Sequence, residues 1–328
     1  MAVPADGVWG RGNMTAEAGA SGEPVTPSGV QYTIAHGAQR AVITEVGATL
    51  RSYEVDGQAF VDGFDVGEMS SGGRGQVLAP WPNRLAGGSY EFAGARNQLA
   101  IGEVKTGNAS HGLVRWSNWQ LLAQEVTSVT LGLTLHPQSG YPFALALALT
   151  YRLADDGLTV STSARNVGTS ALPFGIGFHP YFTVGTALID DATFTLPAAT
   201  SLPTDERMIP TGRDTVAGGP LDFRSARPIG DTIIDTCFTD LARDEQGRAR
   251  IVLAAPGGGP ALTLTLDGAF DFVQVYTGNN LPDPVTRRRG LAIEPMTCPA
   301  NAFNSGDGLI VLAPGEEFAA AWNVRVTP

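Results

Sequence analysis

Residues 144–166 read ALALALTYRLADDGLTVSTSARN. Leu145, Leu147, Leu149, Tyr151 and Leu153 recur at every second position, and Leu158, Val160, Thr162 and Ala164 do the same after the break. A period of two is the signature of a strand with one covered face, not of a helix. Asp155-Asp156-Gly157, between the two runs, are turn formers. The stretch therefore predicts two long antiparallel strands joined by a tight turn.

The same pattern extends in both directions. Residues 129–135 alternate as VTLGLTL, and residues 41–46 lead through Gly47 to Leu50–Val55 and an Asp56-Gly57 pair, a strong hairpin signal. Residues 90–92 turn at Gly94. Downstream, strands are expected at residues 251–253, Ala261–Leu266, Phe272–Tyr276, 309–312 and 318–326, with the Ala313-Pro314-Gly315 turn between the last two. No segment sustains apolar i, i+3, i+4 spacing over three turns. Gly 41 and Pro 22 exceed the ordinary ~12% of a chain, as expected of many short strands and turns. The expectation is an all-β protein, a large antiparallel sandwich or barrel. Residues 1–28, rich in Gly, Ala, Pro, Ser and acidic residues, are expected to be a disordered leader. One domain is expected over residues 29–328.

Composition narrows the function. A net charge of -11 makes nucleic acid and anionic membrane surfaces poor partners. No apolar run reaches the ~18 residues of a membrane span. With no basic-then-apolar segment at the start, a cytoplasmic location is expected. The two cysteines, Cys237 and Cys298, suggest neither a disulfide framework nor a zinc knuckle. Lys105 is the single lysine, and its GEVKTG setting fits neither a Schiff-base site nor a phosphate loop. Four histidines, with no HExxH pair, constrain any metal site.

Several polar clusters stand out against the strand pattern. In GLAIEPMTCPANAFN, residues 290–304, Glu294 follows an apolar run and Pro295 is expected to end the ladder behind it. A carboxylate is costly to bury there, so it is either a solvated strand-end Glu or a general base held over an amide-rich loop containing Asn301 and Asn304. In APWPNRLAGG, residues 79–88, Trp81 offers a flat face suited to a sugar ring, beside Asn83 and Arg84. Arg84 either braces the loop or presents forked donors to hydroxyls or an anion. His111 lies in a Gly-, Asn- and Ser-rich bend ahead of Arg115 and Trp116, which belong to a pocket or to the core. His179 sits among Phe178, Tyr181 and Phe182, where its charge would respond to its neighbours. Asp235 lies between apolar residues and either caps a turn or accepts ligand hydroxyls; Tyr276 ends a strand at a polar turn.

Taken in order, PNR at 82–84, NASHG at 108–112, SGYP at 139–142, FHPYF at 178–182, IIDTCF at 233–238, VYTGN at 275–279 and AIEP at 292–295, with Asn301 and Asn304 behind it, resemble the aldose 1-epimerase (galactose mutarotase) family. The resemblance covers nearly the whole chain from about residue 30. It implies a galactose mutarotase-like supersandwich with no cofactor and no metal, acting on a free monosaccharide as a monomer or homodimer. It further implies Glu294 as base at the C1 hydroxyl, His179 as acid at the ring oxygen and His111 as a second imidazole near that oxygen. Arg84 and Asp235 would contact hydroxyls. WPNRLAGG differs from the GRYANRI-like run of the galactose enzymes, whereas HGLVRWSNW is similar to the HGFARxxxW run of hexose-6-phosphate epimerases, in which Arg84 and Arg115 would share a phosphate. APWPNR and IEPMTCPANAFNSGDGL are nearer a bacterial branch that includes sulfoquinovose mutarotase. Outside mutarotation, two readings compete: a non-catalytic carbohydrate-binding sandwich, and a glycosidase using Glu294 and Asp235.

Overall fold

In a computed structural model, residues 25–327 are described. The 144–166 stretch forms Leu145–Ala154 and Gly157–Asn166, paired antiparallel from Leu145↔Asn166 to Ala154↔Gly157. The turn between them is therefore the two residues Asp155 and Asp156, and Gly157 already belongs to the second strand. Glycine is required there: φ is +105° and a Cβ would come within 2.1 Å of the Val324 carbonyl oxygen. These two strands are the third and fourth of a nine-stranded sheet. It runs in space from Gln120–Gln124 through Ser128–Leu135, Leu145–Ala154, Gly157–Asn166, Glu317–Thr327, Ala261–Leu266, Ala249–Ala254 and Thr193–Thr195 to Arg227–Pro228. Every second residue is buried along Leu145–Ala154 and Ala261–Leu266, so this sheet covers one face and leaves the other to solvent.

The other large sheet has eight strands. Its path runs Asp214–Thr215, Ala198–Leu202, Asp235–Leu241, Phe272–Tyr276, Leu291–Met296, Gly177–Phe178, Val77–Leu78, and Tyr181–Phe182 pairs with Leu291–Met296 beside that path. All pairings between named strands in both sheets are antiparallel. One hydrophobic cluster joins the sheets, with Leu147, Leu149, Val160 and Trp322 from the larger and Val273, Val275, Ile293 and Phe178 from the smaller. Phe178 meets Trp322 edge to face across the gap at 5.4 Å between ring centroids. The all-β antiparallel sandwich expected from the sequence is the fold observed.

The Asp56-Gly57 hairpin forms, with both residues at positive φ as a two-residue primed turn requires. Ile310–Leu312 and Glu317–Thr327, in contrast, do not pair across their Pro-Gly turn. Ile310–Leu312 pairs with Leu172–Phe174, and Glu317–Thr327 inserts between Gly157–Asn166 and Ala261–Leu266. Pro295 does not end the ladder: the strand runs Leu291–Met296 and pairs Val273↔Pro295 and Phe272↔Met296. On its other side the strand pairs with Tyr181–Phe182 at Ala292 and Leu291 and with Gly177 at Met296, and Pro295 falls in the interval between them. A residue without an N–H is tolerated at such an interruption. Of the expected leader, residues 1–24 lie outside the described residues. Ser28, within its last four residues, is 5% exposed, and its carbonyl accepts from Val46 N at 3.1 Å, so the folded body reaches into the predicted leader.

Candidate active site

Strand register builds the site. Opposed residues share a sheet face. Asp235↔Tyr276, Tyr276↔Ala292 and Ala292↔Tyr181 form one row; Cys237↔Gln274 and Gln274↔Glu294 form the next. The residues between them, Val275 and Ile293, point into the sandwich core. Asp235, Gln274, Tyr276 and Glu294 therefore floor the opposite, outer face of the smaller sheet. His179 joins them from the bend between Gly177–Phe178 and Tyr181–Phe182, while neighbouring Phe178 points into the core. The His179 peptide is fixed on both sides, with its N donating to Gln76 O at 3.0 Å and its O accepting from Gly75 N at 2.9 Å.

Loops roof this floor and enclose a cavity of about 500 Å³. Asn83, Arg84, His111, Arg115, His179, Asp235, Tyr276 and Glu294 all line it. Asn83 and His111 adopt the left-handed backbone, φ +54° and +59°, and His111 N donates to Asn83 O at 2.8 Å. Asn is among the residues that enter this region readily. Gly112 is obligatory beside them, because a Cβ would lie 1.9 Å from the Ala79 carbonyl oxygen.

At the centre, His179 Nε2 and Glu294 Oε1 are 3.3 Å apart, in side chains 7% and 3% exposed. The His179 ring stacks on Tyr181 at 5.2 Å and 14°, and the His111 ring meets it edge-on at 5.6 Å. Gly73 lies flat against the imidazole, where a Cβ would be 2.6 Å from Cδ2. Glu294 Oε2, His179 Nδ1 and His111 Nδ1 are buried and make no hydrogen bond to the protein. Unpaired buried polar atoms cost about 1–3 kcal/mol each, and all three belong to side chains that line this one cavity, which suits a polar ligand. Gln274 Nε2 donates to Asp235 Oδ1 at 2.8 Å.

Burial sets the charges. It pushes the Glu294 carboxyl well above its ordinary range, with Asp235 adding to the rise and Arg84 opposing it. It pushes His179 down to about 3, helped by the Arg115, Arg74 and Arg84 cations. His111 is lowered well below the usual imidazole range, by burial first and then by His179, Arg115 and Arg84. Asp235 is raised by burial, against Arg84 and the Gln274 hydrogen bond. Burial thus favours the neutral carboxyl over the carboxylate and the neutral imidazole over the imidazolium. A neutral carboxyl facing a neutral imidazole holds the same number of protons as a carboxylate facing an imidazolium, so passing between these two forms needs no proton exchange with solvent.

Trp81 is a correction. It is 3% exposed, belongs to the core and packs edge-on against Phe303 at 5.8 Å. The tryptophan that lines the cavity is Trp116, 49% exposed, with the Arg115 Cζ 5.5 Å over its ring. The amides behind Glu294 brace their loop: Asn301 Oδ1 accepts from Ala86 N at 3.1 Å, in the Arg84–Ala86 strand, and Asn304 Nδ2 donates to Ser89 O at 3.0 Å, at the start of the Ser89–Phe92 strand. Gly73, Glu103, Tyr181 and Gln274 also line the cavity and were not singled out from the sequence. Gln274 and Tyr181 were reachable, because each sits two residues from a chosen residue on the same strand or bend. Glu103 carried no local signal. Among the described residues, no group of three or more His, Cys, Asp or Glu side chains is placed to hold a metal ion.

Comparison with known proteins finds a family and a shared fold. A profile of the aldose 1-epimerase family matches residues 30–325. The chain is 38% identical over 298 residues to the uncharacterised protein YihR of Escherichia coli K12, covering 90% of this chain and 93% of YihR. It is 28% identical over 267 residues to human galactose mutarotase, covering 74% and 76% of the two chains. Among solved structures, a GalM/aldose epimerase homologue from C. elegans superposes with a TM-score of 0.81 at 18% identity, covering 91% of this chain and 98% of the other. Galactose 1-epimerase from Lactobacillus acidophilus gives 0.76 at 21%, covering 90% and 94%. At those identities the structures speak to the fold, and they share it. With a family match over nearly its full length, the chain belongs to the aldose 1-epimerase family, and it is an isomerase of the mutarotase kind.

Proposed function

We propose that this enzyme interconverts the anomers of a free, uncharged aldose, with Glu294 and His179 as the proton-transfer pair. Opening a cyclic hemiacetal removes a proton from the C1 hydroxyl and adds one to the ring oxygen. Rotation about C1–C2 and reclosure then give the other anomer. The observation that carries the reading is the 3.3 Å contact between two buried, oppositely shifted acid–base groups in a cavity with unpaired polar atoms. Entry of the sugar brings hydroxyl dipoles to both groups and favours the charge-separated form of the pair. Glu294 as carboxylate then takes the C1 hydroxyl proton and His179 as imidazolium donates to the ring oxygen. His111, edge-on to His179, offers its unpaired Nδ1 to the same region. Asp235, oriented by Gln274, accepts from sugar hydroxyls, and Arg84 donates to them. Trp116 presents its ring at the cavity wall. Positioned acid and base groups each contribute roughly 10²–10⁴-fold, enough for a reaction that already proceeds in water.

A second reading, an aldose with an anionic substituent, is favoured by one observation. Among the described residues no carboxylate lies within ion-pair distance of Arg115, and Lys105 lines the same cavity. In either case the reading includes one catalytic domain, a cytoplasmic location and a monomer or homodimer. Among the described residues no helix is long and apolar enough to cross a membrane. The test follows anomer relaxation of α-glucose, α-galactose and glucose 6-phosphate by polarimetry or NMR, with wild type and His179→Asn. Acceleration by wild type that is lost in His179→Asn is expected. Spontaneous rates with wild type on all three sugars would sink the proposal.

A further inference from the structure

The two guanidinium groups of the cavity are in different electrostatic states. Arg84 is already gripped: its Nε donates to Glu103 Oε2 at 2.6 Å, its Nη2 to Glu103 Oε1 at 3.0 Å and its Nη1 to Asn83 Oδ1 at 3.3 Å. The Glu103–Arg84 contact is a two-pronged carboxylate–guanidinium pair, the strongest and most geometry-specific kind of ion pair. It is held in a cavity wall with 18% of the Arg84 side chain and 28% of the Glu103 side chain exposed. Burial alone would raise the Glu103 carboxyl, yet its pairing with Arg84 draws it below its ordinary range. Asp235 and Glu294 add their negative charge to that of Glu103 around the same guanidinium. Arg115, in contrast, rests against the Trp116 ring.

Neither partner is free to swing away. Arg84 is the first residue of the strand Arg84–Ala86, opposed to Ser110, and its carbonyl accepts from Asn301 N at 2.6 Å. The loop carrying Glu103 closes on itself, with Gly107 N and Asn108 N donating to Glu103 O at 2.9 and 3.2 Å. Arg207 clamps that loop through Thr106 O and Gly107 O, both at 3.0 Å, and Asn108 Nδ2 returns a hydrogen bond to Arg207 O at 2.7 Å. The pair is therefore built before any ligand arrives, unlike a mobile surface ion pair.

We propose that Glu103 is a specificity-determining residue: by occupying the fork of Arg84, it reserves that end of the cavity for uncharged sugar hydroxyls and turns away anionic substituents. A hydroxyl needs only the guanidinium N–H groups that Glu103 and Asn83 leave free. A phosphate or sulfonate needs the fork itself and would face the Glu103 carboxylate within contact distance. The inference rests on the sugar-binding reading of this cavity and explains why two arginines in one site need not act as one anion clamp.

The test is equilibrium binding of glucose and of glucose 6-phosphate, by calorimetry, to wild type, Glu103→Gln, Glu103→Asp and the Glu103→Gln/Arg84→Gln double variant. Glu103→Gln should shift the ratio of the two dissociation constants at least tenfold toward glucose 6-phosphate. Glu103→Asp should stay within threefold of wild type, and the double variant should lose the gain. An unchanged ratio in Glu103→Gln, or a gain that persists without Arg84, overturns the proposal. Should Glu103→Gln fail to fold, Glu103→Ala decides: it too frees the fork of Arg84 and must shift the ratio toward glucose 6-phosphate, and an unmoved ratio again overturns the proposal. Because the readout is binding, it is independent of turnover: a protein that binds sugar but never accelerates anomer exchange would end the mutarotase reading and leave this one standing.

Discussion

The two large sheets use the same two-residue periodicity for opposite purposes. In the nine-stranded sheet the inward positions Leu145, Leu147, Leu149 and Tyr151 are buried, while the outward ones between them are partly exposed. In the smaller sheet Leu291–Met296 is buried at all six positions. Of its outward positions, Ala292 and Met296 meet small apolar clusters and Glu294 meets a roofed cavity in place of bulk solvent, and there the alternation places Glu294, Gln274 and Asp235 in adjacent strands. A polar side chain on a wet sheet face costs nothing and does little. On a covered face it is shifted, partly unpaired and available for chemistry.

This contrast can be broken experimentally at several strengths. Glu294→Gln should lower the rate of anomer exchange by about 10²–10⁴-fold, while the protein unfolds at an equal or higher temperature, because an amide replaces a buried acid. A parallel loss of folding, seen by circular dichroism, would mean that the outward face of the small sheet is structural. Trp81→Ala should behave in the opposite way. It removes a core indole and should cost about 3–5 kcal/mol in urea unfolding, with the KM of the folded enzyme little changed, whereas Trp116→Ala should raise KM and leave stability alone. If Trp81→Ala spared stability and weakened sugar binding, its assignment to the core would be wrong.

A smaller effect concerns pH. The raised carboxyl of Glu294 contributes stability below its unfolded value near 4.5 and loses it as pH climbs. The lowered imidazole of His179 contributes above 6.5 and loses it as pH falls toward about 3. The melting-temperature gain of Glu294→Gln over wild type should therefore grow as pH rises from 4.5, and that of His179→Asn should grow as pH falls from 6.5. Curves that run parallel across that range would show that neither group is shifted by folding. Smallest of all, Ser161→Lys on the open face of the large sheet should move stability by no more than about 0.5 kcal/mol. A large loss there would show that this face is covered in solution.

How much was legible in the chain divides along the same line. Strand identity and the tight turns follow from neighbours in sequence, through side-chain alternation and the φ demands of Asp56-Gly57. The all-β class was accordingly readable from periodicity, and the two residues proposed as the acid–base pair, Glu294 and His179, which the fold brings to 3.3 Å, were picked out by ordered motifs. The partners of each strand were not readable. Glu317–Thr327 passes over its sequence neighbour Ile310–Leu312 to lie beside Gly157–Asn166, because pairing is decided by which apolar faces the whole sandwich can bury. The exchange of Trp81 for Trp116, the run of the ladder through Pro295 and the capture of Arg84 by Glu103 are of that second kind. Residue type says what a side chain can do; whether it meets core, cavity or a counter-charge depends on segments far away in sequence, and only the folded chain brings those together.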